Sequence, residues 1–457
     1  MDVGRKRIFI LGAARSGIAA ALLAKSMGAS VFVSDIKEED KLGDAINILR
    51  RNGIDYETGM NSLEKIREYD LLVLSPGVFL AEDVRNDLKS RNIPIISELE
   101  FAFKFIDIPI IAVTGTNGKS TTTALIGHIL GSSGISVFVG GNIGNALSNL
   151  PLDKRRYDVA VVEVSSFMLE DIDEFKPFIT VFTNISPDHL DRYKDYQKYV
   201  NAKLNIFKNL DSNSCVVVNK DCKDLKVATE NFNVRKIYFS RLDRKAELFA
   251  TQEGTNFRVF VNINDHNTSL IFKNKNLVGV HNLENVLAAV GAAVLYGVKY
   301  DSIESAINIF GGLEHRIEFV AEINGVRFFN DSKATNVEST MVALNSFENN
   351  IIWIAGGRHK GSPYTGLAEL VRTRVKRIIA IGEAAPLIRD DLGFVVDVEL
   401  FGRDFDSAIR RSFEIAEHGD VVLFSPACSS FDMFNDYEER GRYFKRLVKE
   451  IGYGYKY

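Results

Sequence analysis

The chain alternates short, almost wholly apolar runs with longer stretches whose apolar residues recur at helical spacing, the pattern of an α/β protein. Residues 7–11 (RIFIL) predict a strand, Gly12 and Gly17 a turn, 19–27 a helix rich in alanine and leucine, and 31–33 a second strand. "YDLLVLSPG" and "IPIISELEFAF" carry the alternation to about residue 107. The pattern restarts at "IPIIAVTGTNGKSTTTALIGHIL", where an apolar strand at 108–113 feeds a glycine turn and a helix. Strands in "YDVAVVEVSS" and "FITVFTNIS" follow, then a helix in "KDYQKYVNAKLNIFKNL", a strand-rich stretch around 259–272 and a helix in "NLENVLAAVGAAVLYG". A further restart near 313 brings "IIWIAGG", "VKRIIAIG" and "DVVLFSPACSSFD", strand candidates spaced for a mostly parallel sheet. Three domains are expected, 1–107, 108–312 and 313–457.

Length supports that division, because 457 residues suit about three domains of ordinary size. Lysine plus arginine number 56 against 60 acidic residues, a net charge of −4 that gives no general attraction to nucleic acid or to an anionic membrane. A phosphate-rich ligand must therefore be held by local chemistry. The three cysteines, Cys215, Cys222 and Cys428, suit neither a disulfide framework nor a four-ligand zinc site. With no signal-peptide pattern at the start and no apolar run of membrane-spanning length, a cytoplasmic location is expected.

The strongest chemical signal is Gly115, Thr116, Asn117, Gly118, Lys119, Ser120 and Thr121, directly after an apolar strand. Its glycines let backbone N–H groups turn toward phosphate oxygens at a helix start, Lys119 suits the β/γ-phosphates, and Ser120 or Thr121 suits magnesium. The loop is shorter than the usual phosphate-binding spacing, and a plain helix cap is the alternative. ATP is the expected ligand. Glu163, at the end of an apolar strand, suits magnesium, with a capping or salt-bridging role as the alternative. His189 lies after the next strand and would complete a metal or substrate site or be locally hydrogen-bonded. Periodicity alone places Lys203 toward solvent. Asn282 and Asn285, three apart, would share one helix side against a purine or cap the helix start. Arg316 and the polar loop carrying Asp331, Ser332, Lys333, Thr335 and Asn336 would neutralise phosphate charge and bind ribose, or form an interdomain salt-bridge surface. The first turn, Gly12 to Gly17, lacks the middle glycine of the dinucleotide fingerprint and suits another phosphate or nucleotide pocket better than NAD.

Taken together and in order, "GTNGKSTTT", "GGNIG", "EVSSF", "TNISPDHLDRY", "NAK", "HNLEN", "EHRIE", "NDSKATN", "GGRHKG" and "SPACSSFD" resemble the Mur ligase family across all three expected domains. The resemblance implies an N-terminal Rossmann-like domain for a UDP-sugar, a central P-loop ATPase-like domain with a parallel sheet, and a C-terminal Rossmann-like domain that closes over the reaction. It implies a monomeric, ATP- and Mg2+-dependent ligase joining UDP-N-acetylmuramoyl-L-alanine to D-glutamate. Gly12, Arg15, Ser16, Asp35, Lys37, Ser75, Gly77 and Asn142 would hold the UDP-muramoyl substrate. Lys119, Glu163, His189 and Lys203 would be catalytic. Lys203 would be carbamylated and bind magnesium with Ser120, Glu163 and His189. Asn285, Arg316, Asp331 and Lys333 would contact ATP. Thr335, Lys360, Ser430, Phe431 and Tyr437 would receive D-glutamate. His359 stands where an acidic residue is common and Phe431 where leucine is frequent, so the departures fall on the amino-acid side. The alternatives are a Mur ligase for a different amino acid and a nonenzymatic nucleotide-controlled scaffold.

Overall fold

Five strands, β1 (Arg7–Leu11), β2 (Ser30–Asp35), β3 (Asp55–Thr58), β4 (Leu71–Leu74) and β5 (Ile95–Ser97), form the first sheet in the order β3-β2-β1-β4-β5. All are parallel. Strands such as LLVL, buried on both faces, need continuous rather than alternating apolar sequence. Because β1 lies between β2 and β4, the chain leaves it in a crevice at the carboxyl ends of the strands, where open α/β sheets bind ligands. The helix after β1 runs Arg15–Ser26, starting four residues before the expected 19. Gly17 permits that early start, since a Cβ there would overlap the Gly12 carbonyl oxygen.

The computed structural model describes residues 2–454 apart from 194, 254–255, 264–265, 274–276 and 278–279. The second sheet contains β6 (Ile110–Thr114), β7 (Val137–Gly141), β8 (Val159–Glu163), β9 (Ile179–Phe182), β10 (Cys215–Asn219), β11 (Arg235–Ser240), β12 (Leu248–Glu253), β13 (Asn256–Ile263) and β14 (His266–Phe272), in the order β14-β13-β12-β11-β10-β9-β6-β8-β7. The expected parallel sheet is corrected here: β13 is antiparallel to both β12 and β14. Its sequence NFRVFVNI buries Val259, Val261 and Ile263 while Phe260 and Asn262 fall between them, the two-residue period of a strand with one covered face.

The third sheet joins β15 (Glu318–Ile323), β16 (Val326–Asn330), β17 (Ile351–Gly356), β18 (Val375–Ile381), β19 (Val398–Gly402) and β20 (Val421–Phe424) in the order β15-β16-β20-β17-β18-β19. It is parallel except for β15, which forms an antiparallel hairpin with β16.

The chain divides into two compact units, Met1–Lys273 with Glu284–Asn308, and Asn274–Leu283 with Ile309–Tyr457. The first contains two sheets because buried carboxylates tie them. Glu100 accepts N–H bonds from Asp173, Glu174 and Phe175 at 2.9, 3.0 and 2.8 Å. Glu98 accepts one from Ser148 at 2.7 Å, and Arg85 clasps Asp171 with both terminal nitrogens at 2.5 and 3.0 Å. Among the described residues no helix is long and apolar enough to cross a membrane.

Candidate active site

At the crevice of the first sheet, Gly12 takes a φ of 99°, and its carbonyl accepts the Ser75 hydroxyl at 2.8 Å. Asp35, ending β2, accepts the Ala13 N–H at 2.7 Å and the Lys37 N–H at 2.9 Å. Its carboxylate thus shapes two loops and is buried with Ser16 and Ser75. Gly77 also has a positive φ, and its carbonyl accepts Arg192 at 3.1 Å. Arg15 reaches across to the Asn142 carbonyl at 2.9 Å. The Asn142 side-chain amide then donates to Glu163 Oε1 at 2.9 Å. One line of contacts therefore runs from the first crevice to the carboxyl edge of the second sheet.

There β6 gives way to Gly115, where a Cβ would meet Thr183 Oγ1 and the Asn184 backbone. Gly118, at φ 82°, caps the helix Lys119–Ser132, and a Cβ there would meet Asn285 Oδ1. The first-turn N–H groups of such a helix have no i−4 carbonyl, the arrangement that attracts phosphate. Thr183 and Asn184, which sequence reasoning did not single out, brace the turn. The Thr183 hydroxyl donates to the Asn117 carbonyl at 2.6 Å, and Asn184 accepts the N–H groups of Thr116 and Asn117 at 3.0 and 2.9 Å. Their only signal was the polar pair closing an apolar strand. Ser120 and Thr121 are buried in the first helical turn, and Thr122 donates to Asn285 Oδ1 at 3.3 Å. Asn282 is buried one turn before Asn285 in the helix Val280–Tyr296.

Two lysines converge on one carbonyl. Lys119 Nζ donates to the oxygens of Gly115 and Thr116 at 2.9 and 2.7 Å. Lys203 Nζ donates to the Gly115 oxygen at 2.8 Å. The solvent-facing expectation for Lys203 is corrected: the residue is 1% exposed. Burial, reinforced by the Lys119 charge, holds its amine well below the ordinary lysine range, with only partial opposition from Asp188 and Glu163. Among the described residues Glu163 Oε2 is buried without a hydrogen-bond partner, an acceptor suited to an oxygen-seeking cation. Among the described residues no three His, Cys, Asp or Glu side chains gather to hold a metal by themselves. His189 does not fill that gap alone. Its side chain is 45% exposed, packs its ring 4.9 Å from Phe167, and lies 3.6 Å from Asp188.

In the second unit the neighbouring parallel strands β16, β20 and β17 end side by side, so their following loops are adjacent. These loops are "NDSKATN", "SPACSSFD" and "GGRHKG". Asp331 accepts the Ser425 hydroxyl at 2.7 Å and the Ile317 N–H at 3.2 Å, and burial pushes its carboxyl up to about 7 despite the nearby Arg316 charge. The Lys333 N–H donates to the His315 carbonyl at 3.0 Å. Lys360 Nζ donates to Thr335 Oγ1 at 3.3 Å, bringing those two predicted residues together. Ser430 is buried, and its carbonyl accepts N–H bonds from Met433 and Phe434 at 3.1 and 2.9 Å. Phe431 is 62% exposed. Tyr437 opens the last helix, Tyr437–Gly454, and its carbonyl accepts the Ser332 hydroxyl at 2.8 Å.

Sequence reasoning also passed over His315 and Arg440. His315 is buried at φ 65°, takes a hydrogen bond from Asn330 to Nδ1 at 2.9 Å, and is driven toward the neutral form by burial. A Cβ on Gly441 would overlap its ring, so glycine follows Arg440 for a packing reason.

The sequence profile of the Mur ligase middle domain matches residues 113–293, and that of the Mur ligase glutamate ligase domain matches 315–428. The chain is 41% identical over 456 residues to the UDP-N-acetylmuramoylalanine--D-glutamate ligase of Geotalea uraniireducens, covering 99% of each chain. It is 38% identical over 455 residues to the ligase of the same description from Thermoanaerobacter sp., covering 99% of this chain and 100% of that one. Among solved structures, MurF from Acinetobacter baumannii superposes with a TM-score of 0.61 at 17% identity, covering 98% of this chain and 93% of that chain. The MurC ligase of Thermotoga maritima gives 0.59 at 20% identity, covering 98% and 100%. The structural matches carry the fold and the near full-length sequence matches carry the family: the chain belongs to the Mur ligases, as a homologue of the UDP-N-acetylmuramoylalanine--D-glutamate ligases.

Proposed function

We propose that this protein is the ATP-dependent ligase that adds D-glutamate to UDP-N-acetylmuramoyl-L-alanine in peptidoglycan precursor synthesis. The observation that carries the proposal is the meeting of a glycine-built helix start, the Lys119 and Lys203 heads on one carbonyl, and the unpartnered Glu163 oxygen in the same unit. The proposed division of labour assigns 1–107 to the UDP-muramoyl substrate, 108–312 to ATP and 313–457 to the amino acid.

In the first step the substrate carboxylate attacks the γ-phosphorus of ATP, and the bond to the β-phosphate oxygen breaks, giving an acyl phosphate and ADP. The neutral amine of D-glutamate then attacks the acyl carbonyl, phosphate leaves, and the nitrogen loses a proton to give the amide. Lys119, released from the Gly115 and Thr116 carbonyls, stabilises the charge on the transferring phosphoryl group. Magnesium, when bound, supplies Lewis-acid neutralisation of phosphate charge. Glu163 offers it the free carboxylate oxygen, with Ser120 and His189 as further ligands. Lys203 as an ammonium would repel the ion, whereas its buried neutral amine is the form that combines with carbon dioxide to give a carbamate of the right sign.

Arg15, Asn142, Ser16, Asp35, Lys37, Ser75 and Gly77 orient the UDP-muramoyl substrate. Asn285, Arg316, Asp331 and Lys333 serve the nucleotide. Lys360 and Thr335 take a carboxylate of D-glutamate, which a cation paired with a hydroxyl suits, while Ser430, Phe431 and Tyr437 border the same amino acid.

The test is ADP release by purified protein with ATP, magnesium, UDP-N-acetylmuramoyl-L-alanine and D-glutamate, with each component omitted in turn and the product weighed by mass spectrometry. Release that requires both organic substrates and yields the matching amide is expected. Absence of turnover by intact, folded protein, or equal turnover without D-glutamate, contradicts the assignment.

A further inference from the structure

The side chain of Arg440 is 0% exposed, yet each of its hydrogen bonds goes to a neutral acceptor. Nε donates to Ser332 Oγ at 3.0 Å, Nη1 to the Cys428 carbonyl at 3.1 Å, and Nη2 to the carbonyls of Ser332 and Cys428 at 2.8 and 3.1 Å. The guanidinium also lies 5.7 Å from the centre of the Phe424 ring. A Cβ on Gly357 would overlap the Ser429 carbonyl oxygen and stand 3.2 Å from Nη1, so the second glycine of "GGRHKG" lets its loop lie against that carbonyl with the guanidinium beside it. One planar fork is thereby set against three loops: the Ser332 loop after β16, the Cys428 loop after β20, and the Gly357 loop after β17. Ser332 Oγ closes the arrangement by donating to the carbonyl of Tyr437, on Arg440's own helix.

Asp432 and Asp331 act on the Arg440 guanidinium only at longer range, and a fully buried guanidinium without a hydrogen-bonded carboxylate is costly and rarely retained. Core packing alone would be served by an apolar residue of similar volume. What an apolar residue lacks is a rigid set of donors that fixes several carbonyls at one spacing. The three loops also carry Asp331, Lys333 and Thr335, then Ser430 and Phe431, then Lys360. We propose that Arg440 is a positioning residue that holds the nucleotide-facing and amino-acid-facing loops of the second unit at a common spacing, so that binding on one is coupled to geometry on the other. This rests on the ligase assignment above.

The test is steady-state kinetics of Arg440→Lys and Ser332→Ala beside the parent enzyme, with each of the three substrates varied in turn. A lysine keeps the charge but has a single head in place of the fork. The expected result is a rise of at least fivefold in KM for both D-glutamate and ATP in Arg440→Lys. KM for UDP-N-acetylmuramoyl-L-alanine, whose proposed residues lie in the first unit, should change less than twofold. Ser332→Ala should move the same two constants in the same direction, by at least twofold. In Arg440→Ala, added guanidinium ion should lower both raised constants, a recovery that mere loss of packing would not show. A folded Arg440→Lys with D-glutamate and ATP constants within twofold of the parent overturns the inference, as does an equal rise for all three substrates. Should Arg440→Lys fail to fold by circular dichroism, unchanged constants in Ser332→Ala overturn it. A parent enzyme that does not turn over refutes the underlying assignment instead.

Discussion

Lys203 in the first unit and Arg440 in the second are both buried basic side chains resting on backbone carbonyls, yet their head groups have opposite prospects. Burial and the neighbouring Lys119 hold the Lys203 amine well below the ordinary lysine range. Arg440 is lowered by burial only to about 10, and remains a cation at neutral pH. A buried amine can lose its proton and be modified, whereas a buried guanidinium keeps its charge and its fixed donors. On the proposed reading the first unit thus has a side chain that can be modified beside the Gly115 loop, and the second a permanent tie beneath its loops.

The largest effect should come from making the two sites alike. Lys203→Arg places a group that cannot become neutral or anionic beside Lys119, and we expect kcat to fall by about 100-fold or more. Single-turnover measurement of ADP formation checks it, and activity within tenfold of the parent would remove the distinction. Glu163→Gln should act on the same side of the comparison by withdrawing the free anionic oxygen. Apparent magnesium affinity should fall by about 10- to 100-fold, read from a magnesium titration of turnover.

A smaller effect is expected in the second unit, at Asp331. Its carboxyl sits at about 7 in the folded protein against an ordinary 3.8. Between those values the native state holds a proton that the unfolded chain has released, so this group's contribution to stability falls as pH rises from about 4 to about 7 and is level above. Asp331→Asn should remove that slope and be more stable than the parent at pH 8, by about 2 kcal/mol. Denaturant melts at pH 5 and pH 8 check it, and a pH-independent difference between the two proteins would contradict it.

Much of this was legible along the chain, but unequally. The strands β6, β8, β17 and β20 are continuous apolar runs, and Gly115 and Gly118 stand where backbone must turn without a side chain. In a helix that mixes apolar and polar residues, periodicity points Lys203 to solvent, yet its neighbours place it in the core. It lies four residues after buried Tyr199 and three after buried Val200, on the same helical stripe. Arg440 obeys the same rule, since Phe444, Leu447, Val448 and Ile451 continue its stripe into the core. Within "YEERGRYFKRL" it is one charge among many and reads as surface. Thr183 and Asn184 could not be found by local pattern at all, because what they brace belongs to a different strand's loop. The antiparallel edge of the second sheet was visible as alternation in NFRVFVNI, although partner and direction required the folded chain.

The proposed chemistry requires Lys203 to act as an anion beside the Gly115 loop. The most direct measurement is turnover by enzyme freed of carbon dioxide and then given bicarbonate, with carbon-13 NMR of protein equilibrated in labelled bicarbonate. Loss of activity on removal, recovery on addition, and a carbamate carbon signal that Lys203→Arg lacks are the expected results. Full activity without carbon dioxide, together with no such signal in the active parent enzyme, would contradict it.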